Sequence, residues 1–231
     1  MRKEILSITL LYTLGVFLLK AQTVAPSQPP LSAGVYFGSG YMFSDYSALN
    51  HLCETNGFRP FESAYTSFET GLSIGKIQKS YIELLIASSL QQTLSSTDKY
   101  SSLTAISLYG NLNRTLFFTP KNYLGLYGGI GFTALTVEFS DQTGANGTFA
   151  DALTGLKGQR TVYTGPQPQL DLGAKYQRVW RDFGKKLLIS VKGGYRLDLL
   201  PTEWGTDGWV LNNGPNIDTG GWYVQFGIGM F

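Results

Sequence analysis

A chain of 231 residues with a formal charge of +2 at pH 7 is long enough for one domain with a sizeable core, and too weakly basic to imply a nucleic-acid partner. Charged residues make up only 15%, aromatics 14%, and there are 28 glycines, a balance that suits many glycine-kinked strands better than a helical protein. The single cysteine, Cys53, excludes a disulfide framework within the chain, so stability must come from hydrogen-bonded closure.

Residues 1–21 read as a signal peptide. Arg2 and Lys3 supply a positive start, and the uncharged, mostly apolar run from Ile5 to Leu19 is shorter than the ~20 residues a spanning helix needs. Cleavage is expected after Ala21, and no cysteine lies near it to carry a lipid anchor. Residues 22–31, with Pro26, Pro29 and Pro30, read as a short extended periplasmic tether, leaving residues 32–231 for the folded domain.

Alternation then dominates the chain. Residues 32–43 give a first strand, with Val35, Phe37 and Tyr41 on one parity, and 44–63 a long polar loop. Residues 64–76 form a second strand, Phe68, Leu72 and Ile74 opposing Ser67, Glu69 and Ser73; a tight turn leads to a third carrying Ile82, Leu84, Ile86 and Leu90. After a medium loop over 92–100, the fourth strand runs over 102–118 and the fifth over 123–139, with a short turn at Pro120 between them. In the fifth, the apolar parity of Leu124 to Phe132 gives way to Leu135, Val137 and Phe139, which predicts a bulge near Ala134. The longest loop covers 140–164; a sixth strand over 167–181 turns at 182–185 into a seventh, where Leu187, Ile189 and Val191 oppose Ser190, Lys192 and Arg196. A loop over 201–219 precedes the last strand, which places Trp222, Val224, Phe226, Ile228 and Met230 on one parity and stops on Phe231.

The count is about eight, with short connections after the second, fourth and sixth strands and longer ones after the first, third, fifth and seventh. The leader, this alternation of connection lengths and the terminal Phe231 together resemble small outer-membrane β-barrel proteins of the OmpA transmembrane-domain and OmpX type, loosely called porin-like. The fold expected is all-β: an eight-stranded antiparallel transmembrane β-barrel of outer-membrane type, an up-and-down meander with both termini periplasmic. A soluble lipocalin-type barrel would turn the charged parity outward and has no use for a terminal Phe. By the resemblance, the last strand is read by the outer-membrane assembly machinery of a Gram-negative cell, although the residues two, four and six places before Phe231 are Gly229, Gly227 and Gln225 where the family places apolar ones.

Aromatics at strand ends are expected to form interfacial girdles: Phe117, Phe118, Tyr123, Trp180 and Phe231 towards the periplasm, Tyr65, Phe139 and Trp222 towards the outside. The inward parity supplies Glu69, Glu83, Asp171, Lys175, Lys192, Arg196 and Asp198 as a lumenal charge network. A turn about Phe183 and Gly184 places Asp171 across from Arg196 as an expected pair, and Lys175 across from Lys192, which needs an acid from another strand, Glu69 or Glu83.

His51, Cys53 and Glu54 are metal-donor types within four residues, too close together and too few for a closed site, so no metal and no cofactor is expected. Some small outer-membrane barrels are lipid A acylases or deacylases using a loop or rim His with a Ser; nothing near His51 matches their pattern, and no catalytic residue is expected. Asp207, Asn212, Asn213, Asn216 and Asp218 read as turn formers and not as a calcium loop, whereas Trp204 and Trp209 in that loop are candidates for binding. Three roles fit this architecture: a structural or interaction protein meeting an extracellular ligand or protein partner through its loops, a channel for small solutes or hydrophobic molecules, and an accessory barrel of a secretion system. Outer-membrane lipid is the partner common to all three.

Overall fold

The computed structural model describes residues 32–94, 99–141, 159–182, 186–206, 209–211 and 214–231; the expected leader and tether lie outside them. Eight antiparallel strands close into a barrel: β1 (Ser32–Asp45), β2 (Ala64–Lys76), β3 (Ser80–Leu94), β4 (Lys99–Phe118), β5 (Asn122–Asp141), β7 (Gln167–Asp182), β8 (Lys186–Asp198) and β11 (Asp218–Met230). Each pairs with the next in chain order, β5 with β7, and β1 with β11 closes the circle. Three short strands extend the sheet beyond one end of the barrel: β6 (Gln159–Thr164) pairs with the far half of β5, β9 (Trp204–Thr206) with β6, and β10 (Trp209–Leu211) with β9.

The alternation sorts the side chains with little exception. On β11, Trp222, Val224, Phe226, Ile228 and Met230 all face outward, Trp222 at 67% exposure, while Tyr223, Gln225 and Gly227 are buried inside. Phe231 therefore belongs to the inner parity. It turns in edge-on to Tyr81 with ring centroids 5.6 Å apart, which accounts for the polar and glycine residues two, four and six places before it.

The expected bulge near Ala134 is not there. β4 and β5 stay in register through Ile106 and Ala134, and the shift in their pairing falls between Thr115 and Phe117. Leu135 and Val137 are buried on the same inward parity as Thr133. The apolar face changes sides because β4 and β5, 20 residues each, run past the barrel into a cap whose interior is apolar, while lower down it is the exterior that is apolar. Longer strands also shrink the expected loop over 92–100, so that only residues 95–98 separate β3 from β4.

The segment after β1, expected as a long polar loop, contains a helix, α1 (Ser47–Thr55). It ends at Asn56, and Gly57 reverses the chain at φ 75, a left-handed conformation that costs glycine nothing. The returning segment is tied to the helix twice by one side chain: Asn50 donates to the Phe61 carbonyl at 2.9 Å and accepts from the Phe61 N–H at 2.8 Å.

Candidate functional site

Inside the barrel the side chains form three layers. At the short-turn end, Ile77, Tyr81, Tyr123 and Leu188 pack together with Phe231 against them. The middle layer holds three buried acids, Glu69, Glu83 and Asp171, and three buried cations, Lys175, Lys192 and Arg196, so its formal charge sums to zero. Above them, Met42, Tyr65, Leu103, Leu135, Val137 and Tyr223 belong to one apolar cluster with residues of the cap.

The pairing in the middle layer is set by register. Lys175 and Lys192 face each other across β7 and β8, as do Asp171 and Arg196. Lys175 reaches Glu83 at 2.5 Å, while Lys192 reaches Glu69 at 2.9 Å. Arg196 does not take Asp171 as its ion-pair partner: its guanidinium bonds Glu69 at 3.1 Å and lies 4.2 Å above the Tyr109 ring. Asp171 instead accepts hydrogen bonds from Asn111 at 2.8 Å and Tyr223 at 2.6 Å. A cation this deep needs several partners at once, and Glu69 with two aromatic faces supplies them better than the carboxylate directly opposite. Tyrosines fill the remaining space: Tyr127 rises between Gly173 and Gly194, where an added Cβ would come within 2.1 and 2.5 Å of its hydroxyl. Asp198 sits higher, accepting from the Thr219 and Gly220 N–H groups at 2.7 and 3.2 Å and so fixing the start of β11.

Four of the eight expected girdle residues, Phe117, Phe118, Trp180 and Trp222, lie on the outside. The other four turn inward, and their roles change accordingly. Tyr65 is buried and bonds Ser44 at 3.1 Å and Tyr46 at 3.2 Å; Tyr123 is buried in the layer at the short-turn end beside Phe231. Phe139 packs edge-on to Phe58 at 5.0 Å within the cap. All four occupy the inward parity of their strands, which strand-end position alone does not reveal.

The cap contains an apolar cavity of about 450 Å³ that no motif in the sequence announced. α1 contributes Leu49, Leu52 and Cys53; Phe58 follows from the loop, Phe139 and Val162 from β5 and β6, and Trp204, Leu211 and Pro215 from the last connection. Leu49, Cys53 and Trp204 are buried at its base, whereas Leu52 and Leu211 are exposed at its rim. The signal was present but masked by polar neighbours: Leu49, Leu52 and Cys53 are spaced three and four apart, the period of a helix face, in a segment short enough to pass for loop.

Trp204, a candidate for binding in the sequence, is buried, and its indole donates to the Pro215 carbonyl at 2.6 Å, making it part of the cavity wall. The Trp209 side chain lies outside the described residues, as do Asp207, Asn212 and Asn213. Asn216 is a bracket, its carboxamide oxygen accepting from the Thr202 N–H at 3.1 Å. The helix sends Cys53 inward and leaves His51 and Glu54 exposed, so those three donors do not converge.

Burial, aided by the nearby Glu54 carboxylate, pushes the Cys53 thiol up to about 11. At pH 8 the folded protein is therefore expected to react negligibly with a maleimide over minutes, and to take up about one equivalent once denatured. Rapid labelling of the folded barrel would show that α1 does not hold Cys53 inside.

Comparison with family models finds no match, and no curated protein matches the chain. Among solved structures the chain is similar to Neisserial surface protein A (NspA), with a TM-score of 0.49 and 9% identity over 87% of this chain and 98% of that one. It is also similar to Ail, the attachment invasion locus protein of Yersinia pestis, with a TM-score of 0.47 and 13% identity over 86% of this chain and 99% of that one. Ail in complex with the heparin analogue sucrose octasulfate gives a TM-score of 0.48 and 12% identity over the same shares.

Proposed function

We propose that this chain is an integral outer-membrane protein whose barrel is a sealed anchor and whose work is done by the cap that the long connections build outside the cell. The observation that carries this reading is the inversion of the barrel: charges and hydroxyls inside, hydrocarbon outside. On β3, Ile82, Leu84, Ile86 and Leu90 are each more than half exposed. From Ile82 to Leu90 is about 26 Å of strand, or about 20 Å along the axis at a tilt of about 40°, near the ~25 Å apolar band of outer-membrane barrels. A soluble barrel with that surface would carry an apolar patch far beyond what monomers tolerate.

The three packed layers favour an anchor over a channel. Eight strands leave an interior that side chains just fill, and here that filling runs from Phe231 and Tyr81 at one end to Leu103 and Val137 at the other. With the paired ends of β7 and β8 and the turn at Ile77 on the periplasmic side, the helix, the cavity and the β6–β9–β10 extension all face outward to the medium. An interaction role through these loops follows. The test is biochemical: the mature chain should fractionate with outer membrane and migrate faster on gels unheated than boiled, because a closed barrel resists detergent. Recovery as a soluble periplasmic protein would end this reading.

A further inference from the structure

We infer that the cap cavity is a binding site for one uncharged hydrocarbon group, such as a single alkyl chain. The inference rests on the outward-facing cap described above. The volume, about 450 Å³, is that of about fifteen water molecules at roughly 30 Å³ each, and it falls within the range of small-molecule sites.

The wall selects against polar ligands. Among the described lining residues, Asn56 and Trp204 carry the strong polar side-chain atoms; the N–H donors of both are engaged within the cap, and Asn56 itself is exposed. Asn56 donates to the Leu52 carbonyl at 2.8 Å and Trp204 to the Pro215 carbonyl at 2.6 Å. What remains for a ligand is the hydrocarbon of Leu49, Leu52, Phe58, Val162 and Leu211. Recognition would come from burial and shape, with no directed hydrogen bond, and a polar head would stay at the rim beside Leu52 and Leu211.

Among the described residues, the cavity does not continue into the barrel. Its base residues Leu49, Cys53 and Trp204 belong to the same packed cluster as Leu103, Leu135, Val137 and Tyr223 in the barrel mouth. A chain that enters must leave by the way it came, which makes this a receptor site and not the start of a conduction path. The walls come from three separate connections, α1, β6 and the segment of β9 and β10, so an occupant would also brace them against one another.

The chain could be drawn from a neighbouring lipid or from a free apolar solute, and quenching of Trp204 by bromine separates the two. The full-length mature barrel, with Trp180, Trp209 and Trp222 replaced by Phe, is reconstituted in nanodiscs and titrated with 10-bromodecan-1-ol. Saturable quenching at one equivalent is the expected result. It should weaken at least roughly tenfold when the rim is made acidic by Leu52→Glu with Leu211→Glu, and likewise when the cavity is narrowed by Val162→Phe, which leaves Trp204 in place as the reporter. Nanodiscs of lipid brominated on the acyl chain form the second arm. Quenching there without added alcohol, lost in the acidic-rim variant, assigns the chain to the bilayer, while quenching by the alcohol alone assigns a free solute. Quenching that rises only linearly with membrane bromine, or is indifferent to the acidic rim, overturns the site. The heat-dependent gel shift of each variant reports the barrel separately, so a failed site with an intact shift leaves the outer-membrane reading standing.

Discussion

Replacing Glu69 with Ala is expected to destabilise the barrel by about 3 to 5 kcal/mol, the cost of leaving buried charges without their partner. Among the described residues, Glu69 is the one carboxylate that meets both Lys192, at 2.9 Å, and Arg196, at 3.1 Å, and all three are buried. Its removal strands two cations, where loss of Glu83 strands only Lys175. The change should be measured by urea unfolding in lipid vesicles. Combining Glu69→Ala with Lys192→Met should cost less than the sum of the single changes, because the second change removes one of the stranded charges. The same cycle between Asp171 and Arg196 should show weaker coupling, since Asp171 is held by Asn111 and Tyr223. Strict additivity for Glu69 and Lys192 would contradict the network as drawn.

The second large effect concerns the outer surface. Ile86 lies near the middle of β3 between Thr70 and Leu108 and points outward with 54% of its surface exposed. Ile86→Arg should cost about 2 to 4 kcal/mol if it sits at the bilayer midplane. Leu52, on α1 at the cap, is exposed to a similar extent, 46%. Leu52→Arg should nevertheless change stability by no more than about 0.5 kcal/mol, as at an ordinary wet surface. Two leucine-like side chains with like exposure thus report different solvents. Equal and small effects at both positions would mean that the belt does not face lipid.

How far such features can be read from the chain alone depends on whether a strand's surroundings stay constant along it. Parity is local, and it carries the strand assignments, the facing of Lys175 and Lys192, and the outward set from Trp222 to Met230. It fails to announce where lipid ends. The run Leu135 and Val137 looked like a bulge because an apolar inward face was unexpected, and only the cap above the barrel makes it the natural one. The girdle residues fail for a related reason: Tyr65, Tyr123, Phe139 and Phe231 stand at strand ends, but on the inner parity, where an aromatic seals the lumen.

Ion-pair partners were legible only in part: Glu69 and Glu83 are the acids expected for the facing lysines, whereas Glu69 as the partner of Arg196 is not. Register brings Asp171 opposite Arg196, yet a barrel wraps, so Glu69 from β2 reaches across the lumen to a residue far away in sequence. The cavity was least legible of all. Its wall is assembled from a nine-residue helix and two returning segments whose contact depends on the lengths of β4 and β5, and no single stretch carries enough apolar periodicity to reveal it.

The most direct test of a sealed anchor is the current carried by the unaltered protein in a planar lipid bilayer. With Phe231, Tyr81 and Tyr123 closing one end, the Glu69 and Glu83 ion pairs filling the middle, and Leu103, Leu135 and Val137 closing the other, inserted barrels should pass no steady current above the membrane's own leak. A large, stable conductance from protein shown to be folded by its gel shift would contradict it.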